Sequence, residues 1–203
     1  MEKIMTDLGY KCPNQQMQET QVVEALFRGN FQPLKMLCET YDAFQDMPFS
    51  QGVTYAQVDC MFPGSKFILT VRDSNAWFES LTRFHLRSIL KGVGIKDVRN
   101  VREETFKDKA VYLHKNYFYN VVRRQASIVV NHEIHYDWSL LYDKAHRIDR
   151  YETRNREIVK YFQDRTDQLL VIDLGVEQDT SKIIQFLGLP RRLMTKMPHL
   201  NES

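Results

Sequence analysis

The sequence predicts a helix-rich α/β fold in which a parallel β-sheet is flanked by helices. Three observations carry that expectation. Lys66-Phe-Ile-Leu-Thr-Val71 and Leu169-Leu-Val-Ile-Asp173 are short, continuous apolar runs bounded by turn residues, as strands buried on both faces of a parallel sheet are. Each run leads into a helical pattern rather than a hairpin partner. The order strand, helices, strand, helix is the rhythm of parallel strands joined by helical crossovers.

Taken in order, Met1 to Leu8 spaces Ile4, Met5 and Leu8 on one helical face and stops at Gly9. Thr20 to Arg28 repeats the pattern with Val22, Val23, Leu26 and Phe27, and Gly29-Asn30 closes it. Pro33 to Glu39 is a further helix with proline in its first turn. Thr40 to Phe44 reads as a short strand ending at Asp46-Met47-Pro48, and Thr54 to Phe62 as a helix ended by Pro63-Gly64. After the Lys66–Val71 strand a helix is expected from about Asn75 to Leu90, with a break at Lys91-Gly-Val-Gly94. Thr105 to about Val130 and Asp137 to Phe162 are long, charged and read as helical. A helix from Asp179 to Leu187 follows the last strand and terminates at Gly188-Leu189-Pro190.

Composition narrows the class. At 203 residues the chain suits one α/β domain, and no linker or internal repeat divides it. Hydrophobic residues at 43% and charged residues at 27% exclude a disordered or low-complexity scaffold. Lys and Arg number 28 against 26 Asp and Glu, a net of +2, so no global charge argues for nucleic acid, though a local anion site remains open. No stretch approaches the roughly 18 apolar residues of a membrane-spanning helix. Met1-Glu2-Lys3-Ile4 lacks the basic-then-apolar layout of a signal peptide. Cys12, Cys38 and Cys60 are three, far apart and without a CxxC pair, which fits reduced, buried thiols in a cytoplasmic setting.

In an open parallel sheet, ligands bind beyond the carboxyl ends of the strands. Three such ends are polar here: Asp46, Arg72-Asp73 and Asp173. Arg72 leaves a buried strand just before a helix N-terminus, where backbone amides already favour an anion. Ser80, about two turns into that helix, adds a hydroxyl. Two readings of Arg72 stand on composition alone: a ligand-binding group, or an ion pair with Asp73 or Glu79.

Lys66-Phe-Ile-Leu-Thr-Val-Arg72-Asp73-Ser-Asn-Ala-Trp77-Phe-Glu-Ser80 resembles the 3′-phosphate-binding segment of sulfotransferases that use 3′-phosphoadenosine 5′-phosphosulfate. There a strand ends in Arg-Asp, usually followed by Pro, with Ser eight residues after the Arg. Both spacings hold, and Ser74, a reasonable helix-capping residue, stands where Pro is common. Tyr41-Asp42-Ala-Phe44-Gln-Asp46-Met-Pro48 is similar to the segment preceding that strand in bacterial-type members. Tyr151-x3-Asn155, Tyr161-Phe162, Phe186-Leu-Gly188 and Met197-Pro198-His199-Leu-Asn201 resemble the later parts of the family pattern, so the likeness runs from about Tyr10 to Asn201.

The resemblance implies a P-loop-like sulfotransferase fold, a nucleotide-binding enzyme, a hydroxyl or amine acceptor on a small molecule or glycan, and no metal. It assigns the 3′-phosphate to Arg72 and Ser80, with Trp77 supporting their helix by packing. Arg191-Arg192, near the family's C-terminal loop, are candidates for the same phosphate, with solvated surface as the alternative. Asp46 takes the place of the general base, with a turn or capping carboxylate as the other reading and Asp42 as a substitute. The family's Lys/Arg-x-Gly-Thr-Thr-Ser-like 5′-phosphosulfate loop is not found in these residues. The chain opens inside what resembles the helix after it, which implies a sheet with a gap at its first strand and an N-terminally shortened domain. A catalytically inactive nucleotide-binding or interaction protein of the same fold is therefore the alternative to an enzyme. A nucleotide kinase would need a Gly-Lys-Ser/Thr loop, which is absent.

Other patterns carry less. His132-Glu-Ile-His135 is not the zincin spacing, and no third ligand accompanies it. His85 and His114 lie in helical stretches. Tyr112, Tyr117, Phe118 and Tyr119 read as helix packing, with an acceptor pocket as the alternative. Neither the acceptor nor the oligomeric state is legible.

Overall fold

The two apolar runs do pair. In the computed structural model, which describes residues 1–107, 112–113, 116–173 and 175–198, β1 (Phe67–Val71) and its later partner lie parallel, with Phe67 opposite Leu169 and Val71 opposite Asp173. In chain order the helices are α1 (Glu2–Asp7), α2 (Gln15–Phe27), α3 (Gln32–Thr40), α4 (Thr54–Met61), α5 (Ser74–His85), α6 (Glu103–Phe106), α7 (Tyr117–Gln125), α8 (Lys144–Tyr161) and α9 (Ser181–Leu187). The strands are β1, β2 (Ser127–Val130), β3 (Glu133–Tyr136) and β4 (Leu169–Asp173). The fold is thus mixed α/β, rich in helix, with a small parallel sheet. His114, and His199 with Asn201 of the C-terminal signature, lie outside the described residues.

The chain forms two compact units, one of residues 1–71 and 155–203, the other of residues 72–154. In the first, both faces of the β1–β4 pair carry apolar packing, with Val171 left exposed on one of them. One face meets Ile4 and Met5 of α1 and Ile183 of α9 through Ile68, Leu170 and Ile172. The other meets Ile158 of α8 and Phe162 just beyond it through Leu69. α2, α3 and α4 bury Val22, Leu34, Leu37 and Val58 together. Gly188, at φ 70°, closes α9 in the left-handed conformation that glycine adopts without steric cost.

The second unit is built around Ile89, Leu90, Phe106, Phe118, Val122 and Leu141. Tyr117 and Phe118 are almost fully buried, which settles these two on the packing side. α5 runs on through a π turn at Leu86–Leu90 and a 3₁₀ turn at Lys91–Val93 to Gly94, extending the expected helix by a turn.

Two expectations are corrected. Thr40–Phe44 is not a strand: Thr40 completes α3, its Oγ1 donating to the Met36 carbonyl at 2.7 Å, and the amides of Asp42 and Ala43 both turn to the Lys11 carbonyl rather than to a ladder. Thr105–Val130 is not one helix. α6 is four residues long and α7 ends at Gln125, after which β2 and β3 form an antiparallel hairpin. The β-branched run Ile128-Val-Val130 favours strand, and Asn131 and His132 both take positive φ, 51° and 67°, as the two central residues of a tight hairpin turn do. The helix expected from Asp137 likewise begins only at Lys144, after a 3₁₀ turn.

Candidate functional site

At the end of β1 the sequence reads Arg72-Asp73-Ser74, and each residue has a separate role. Asp73, not Ser74, is the N-cap of α5: its Oδ1 accepts from the Ala76 amide at 2.9 Å. Ser74 is the first helical residue, and its hydroxyl donates to Glu152 Oε1 at 2.6 Å. The backbone of Arg72 is held from α8. The Tyr151 hydroxyl accepts from the Arg72 amide at 3.1 Å and donates to its carbonyl at 3.4 Å. Tyr151 in turn stacks on Trp77 of α5, ring centroids 4.3 Å apart and planes at 13°. Trp77 therefore supports this segment by packing, as expected, and Tyr151 is the partner that sequence reasoning did not single out for the role.

That framework leaves the Arg72 side chain exposed. Among the described residues its guanidinium makes no ion pair with Asp73, which is occupied by its helix, or with Glu79. Of the two readings of Arg72, the ion pair is not formed. Ser80 lies half-buried on the same helix. The structure thus brings Arg72 and Ser80 onto one strand-to-helix segment of the second unit.

The other candidates belong to the first unit. Asp46 is exposed, with φ 54° and a carboxylate that accepts from the Ser50 hydroxyl at 3.2 Å. That is the geometry of a turn carboxylate. Arg191 and Arg192 are exposed on the 3₁₀ turn that follows α9. Asp173 accepts from the Gly175 amide at 2.8 Å, closing the turn after β4.

His132 and His135 sit on the hairpin, and the charged neighbour of His135 is Glu133, with Nε2 3.8 Å from Oε2. Among the described residues no group of three His, Cys, Asp or Glu is arranged to hold a metal ion. All three cysteines are free; Cys60 is exposed rather than buried, while burial, with Glu39 adding to it, pushes the Cys38 thiol up to about 12. Among the described residues no helix is long and apolar enough to cross a membrane.

Sequence reasoning missed a buried polar group in the same unit as the Arg72 segment. His85 is 7% exposed, its Nδ1 2.8 Å from the Tyr142 hydroxyl. Burial, and then the neighbouring Arg147, lower its pKa to about 4. Arg147 is 8% exposed, its guanidinium 5.9 Å from the Trp77 ring centroid. Burial first, and then Arg150, lower its pKa to about 10. The one available signal was the spacing of Arg147 and Tyr151, four residues apart on α8 and hence on one face.

A parallel strand runs into an exposed arginine that makes no ion pair among the described residues, one residue before a helix cap and eight before a serine, in a mixed α/β protein. The chain matches the family model described as a sulfotransferase domain over residues 1–203, and it belongs to that family. No curated protein matches it.

Proposed function

We propose that the chain uses 3′-phosphoadenosine 5′-phosphosulfate as co-substrate and transfers its sulfuryl group to a hydroxyl or amine of a small-molecule or glycan acceptor. The observation that carries this reading is the Arg72 guanidinium, exposed at the end of β1 and without an ion pair among the described residues, with its backbone held by Tyr151. A planar guanidinium in this setting suits one phosphate bidentately, and the Ser80 hydroxyl adds a donor on the same helix. In this reading Arg72 and Ser80 hold the 3′-phosphate, and Arg191 and Arg192 contribute further positive charge. Asp46 accepts the acceptor's proton as its oxygen or nitrogen bonds to sulfur. The sulfur's bond to the 5′-phosphate oxygen breaks, and adenosine 3′,5′-bisphosphate leaves.

Calorimetric titration with adenosine 3′,5′-bisphosphate and with adenosine 5′-phosphate tests the binding half. The bisphosphate is expected to bind more tightly, and Arg72→Ala to abolish the difference. Equal affinity for the two nucleotides in the unmodified chain would overturn the assignment. Asp46→Asn tests the other half: nucleotide binding should persist while transfer to the acceptor falls.

A further inference from the structure

Arg147 stands in a setting that a protein normally avoids. A buried cation is tolerated when a carboxylate or several hydrogen bonds neutralise it. Arg147 is 8% exposed, its Nε is enclosed without a hydrogen-bond partner, and among the described residues no carboxylate lies within ion-pair distance. Its polar neighbours do not help. Arg150 is a like charge, His85 is neutral at physiological pH, and Tyr142, whose pKa burial raises, is neutral as well. Its guanidinium lies instead 5.9 Å from the Trp77 ring, itself stacked on Tyr151, whose hydroxyl holds the Arg72 backbone. The charge balance of the surroundings has the same sign. Residues 72–154 carry sixteen Lys and Arg against eleven Asp and Glu, a net of +5, whereas the rest of the chain carries twelve against fifteen.

We propose that Arg147 is the anchor of a second oxyanion site, distinct from Arg72, which takes one phosphate, sulfate or carboxylate group against the Trp77–Tyr151 wall. The missing carboxylate is then supplied by the ligand. A guanidinium fork already immobilised by burial loses little entropy on binding, and a partly desolvated site makes its charge-assisted bonds count for more. The site stands apart from the sulfuryl-transfer reading, because it concerns a residue given no part in that reaction.

Inorganic phosphate is the probe, and Arg72→Ala is the background, so that the first site is silent. Calorimetry of that variant is expected to show one saturable phosphate site. Adding Arg147→Met should remove the site while the thermal midpoint stays at or above that of Arg72→Ala, since an apolar chain of similar length replaces an unpaired charge. Arg147→Lys keeps the charge but not the fork, and should weaken phosphate by about tenfold. It also decides the matter if the methionine variant fails to fold. No saturable site in Arg72→Ala, or unchanged phosphate affinity in Arg147→Lys, would overturn the proposal. Repeating the titration in the unmodified chain under saturating adenosine 3′,5′-bisphosphate separates the sources. A surviving response assigns the site to a group on another molecule, and a lost one to a phosphate of the nucleotide.

Discussion

Arg165 in one unit and Arg147 in the other are the same side chain stacked on aromatic rings, with opposite electrostatic company. Arg165 lies about 5 Å from the rings of Tyr161 and Phe162 and donates to Asp59 Oδ2 at 2.7 Å, while the Tyr161 hydroxyl donates to the same oxygen at 2.8 Å. The Asp59 carboxylate is enclosed and these two donors satisfy that oxygen, so the cluster ties α4 to the end of α8. Arg147 has the aromatic ring and, among the described residues, no acid. A cation neutralised within the protein is a structural part. One buried without its counter-ion costs stability and has a use for an external anion. The two units differ accordingly: the first pairs its half-buried Arg165 with the enclosed Asp59, and the second, among the described residues, gives Arg72 and Arg147 no acid.

The largest expected effect is the divergence of two truncations. Arg165→Ala leaves the enclosed Asp59 with one donor fewer and is expected to lower stability, because the carboxylate then keeps only the Tyr161 hydroxyl. Arg147→Met removes a buried charge that no described carboxylate balances and is expected to be neutral or to stabilise by about 1 kcal/mol. Urea unfolding of both variants measures the gap. If Arg147→Met costs as much as Arg165→Ala, the two arginines are alike and the contrast between the units breaks.

Almost as large is a pH effect within the second unit. The folded-state pKa of His85 is lowered to about 4 from an ordinary 6.5, so between those values the unfolded chain binds the proton more readily. Stability from this group is fully present above about pH 6.5, falls as pH drops toward 4, and levels off below that. The shift corresponds to about 3 kcal/mol in order of magnitude. Unfolding free energies across that range, compared with those of His85→Gln, measure it. Arg147→Met should sharpen the result: with the second of its two causes removed, the His85 pKa should rise and the pH dependence shrink. A curve unchanged by Arg147→Met would show that the two groups do not interact.

Arg72→Ala ranks third. It should weaken adenosine 3′,5′-bisphosphate by about tenfold to a hundredfold, the worth of a charged hydrogen-bonded contact, with almost no cost in stability because the side chain is exposed. Stability lost in step with binding would place Arg72 with Arg165, as a structural cation.

These distinctions were unevenly legible. Lys66–Val71 and Leu169–Asp173 announced themselves because a strand covered on both faces leaves a continuous apolar run, and the Arg72–Ser80 spacing lies within one local segment. Thr40–Phe44 misled because an extended backbone without a neighbouring ladder looks the same in sequence as a strand. The hairpin was concealed because Thr105 to Val130, charged at Arg123-Arg124, read as one helix, while the decisive signals were Ile128-Val-Val130 and two residues at positive φ. Arg147 was invisible for a different reason. Whether a charged residue is paired depends on which elements meet, and nothing in Lys144–Tyr161 says that α8 lies over Trp77.

The smallest effect bears most directly on how the open arginine is held. Tyr151→Phe keeps the ring, and so the stack on Trp77, but removes the hydroxyl that bridges the amide and carbonyl of Arg72. Because these backbone groups are near solvent, water replaces the lost partner, and the expected cost in stability is only about 0.5–1 kcal/mol. The consequence for binding differs in kind. Without the bridge, Arg72 must be ordered by the ligand, which should weaken the bisphosphate a few-fold while leaving phosphate at Arg147 unaffected. Calorimetry of both ligands on one variant reads the two sites separately. Equal weakening of both would mean that Tyr151 supports the whole α5–α8 contact, and that Arg72 and Arg147 share one site.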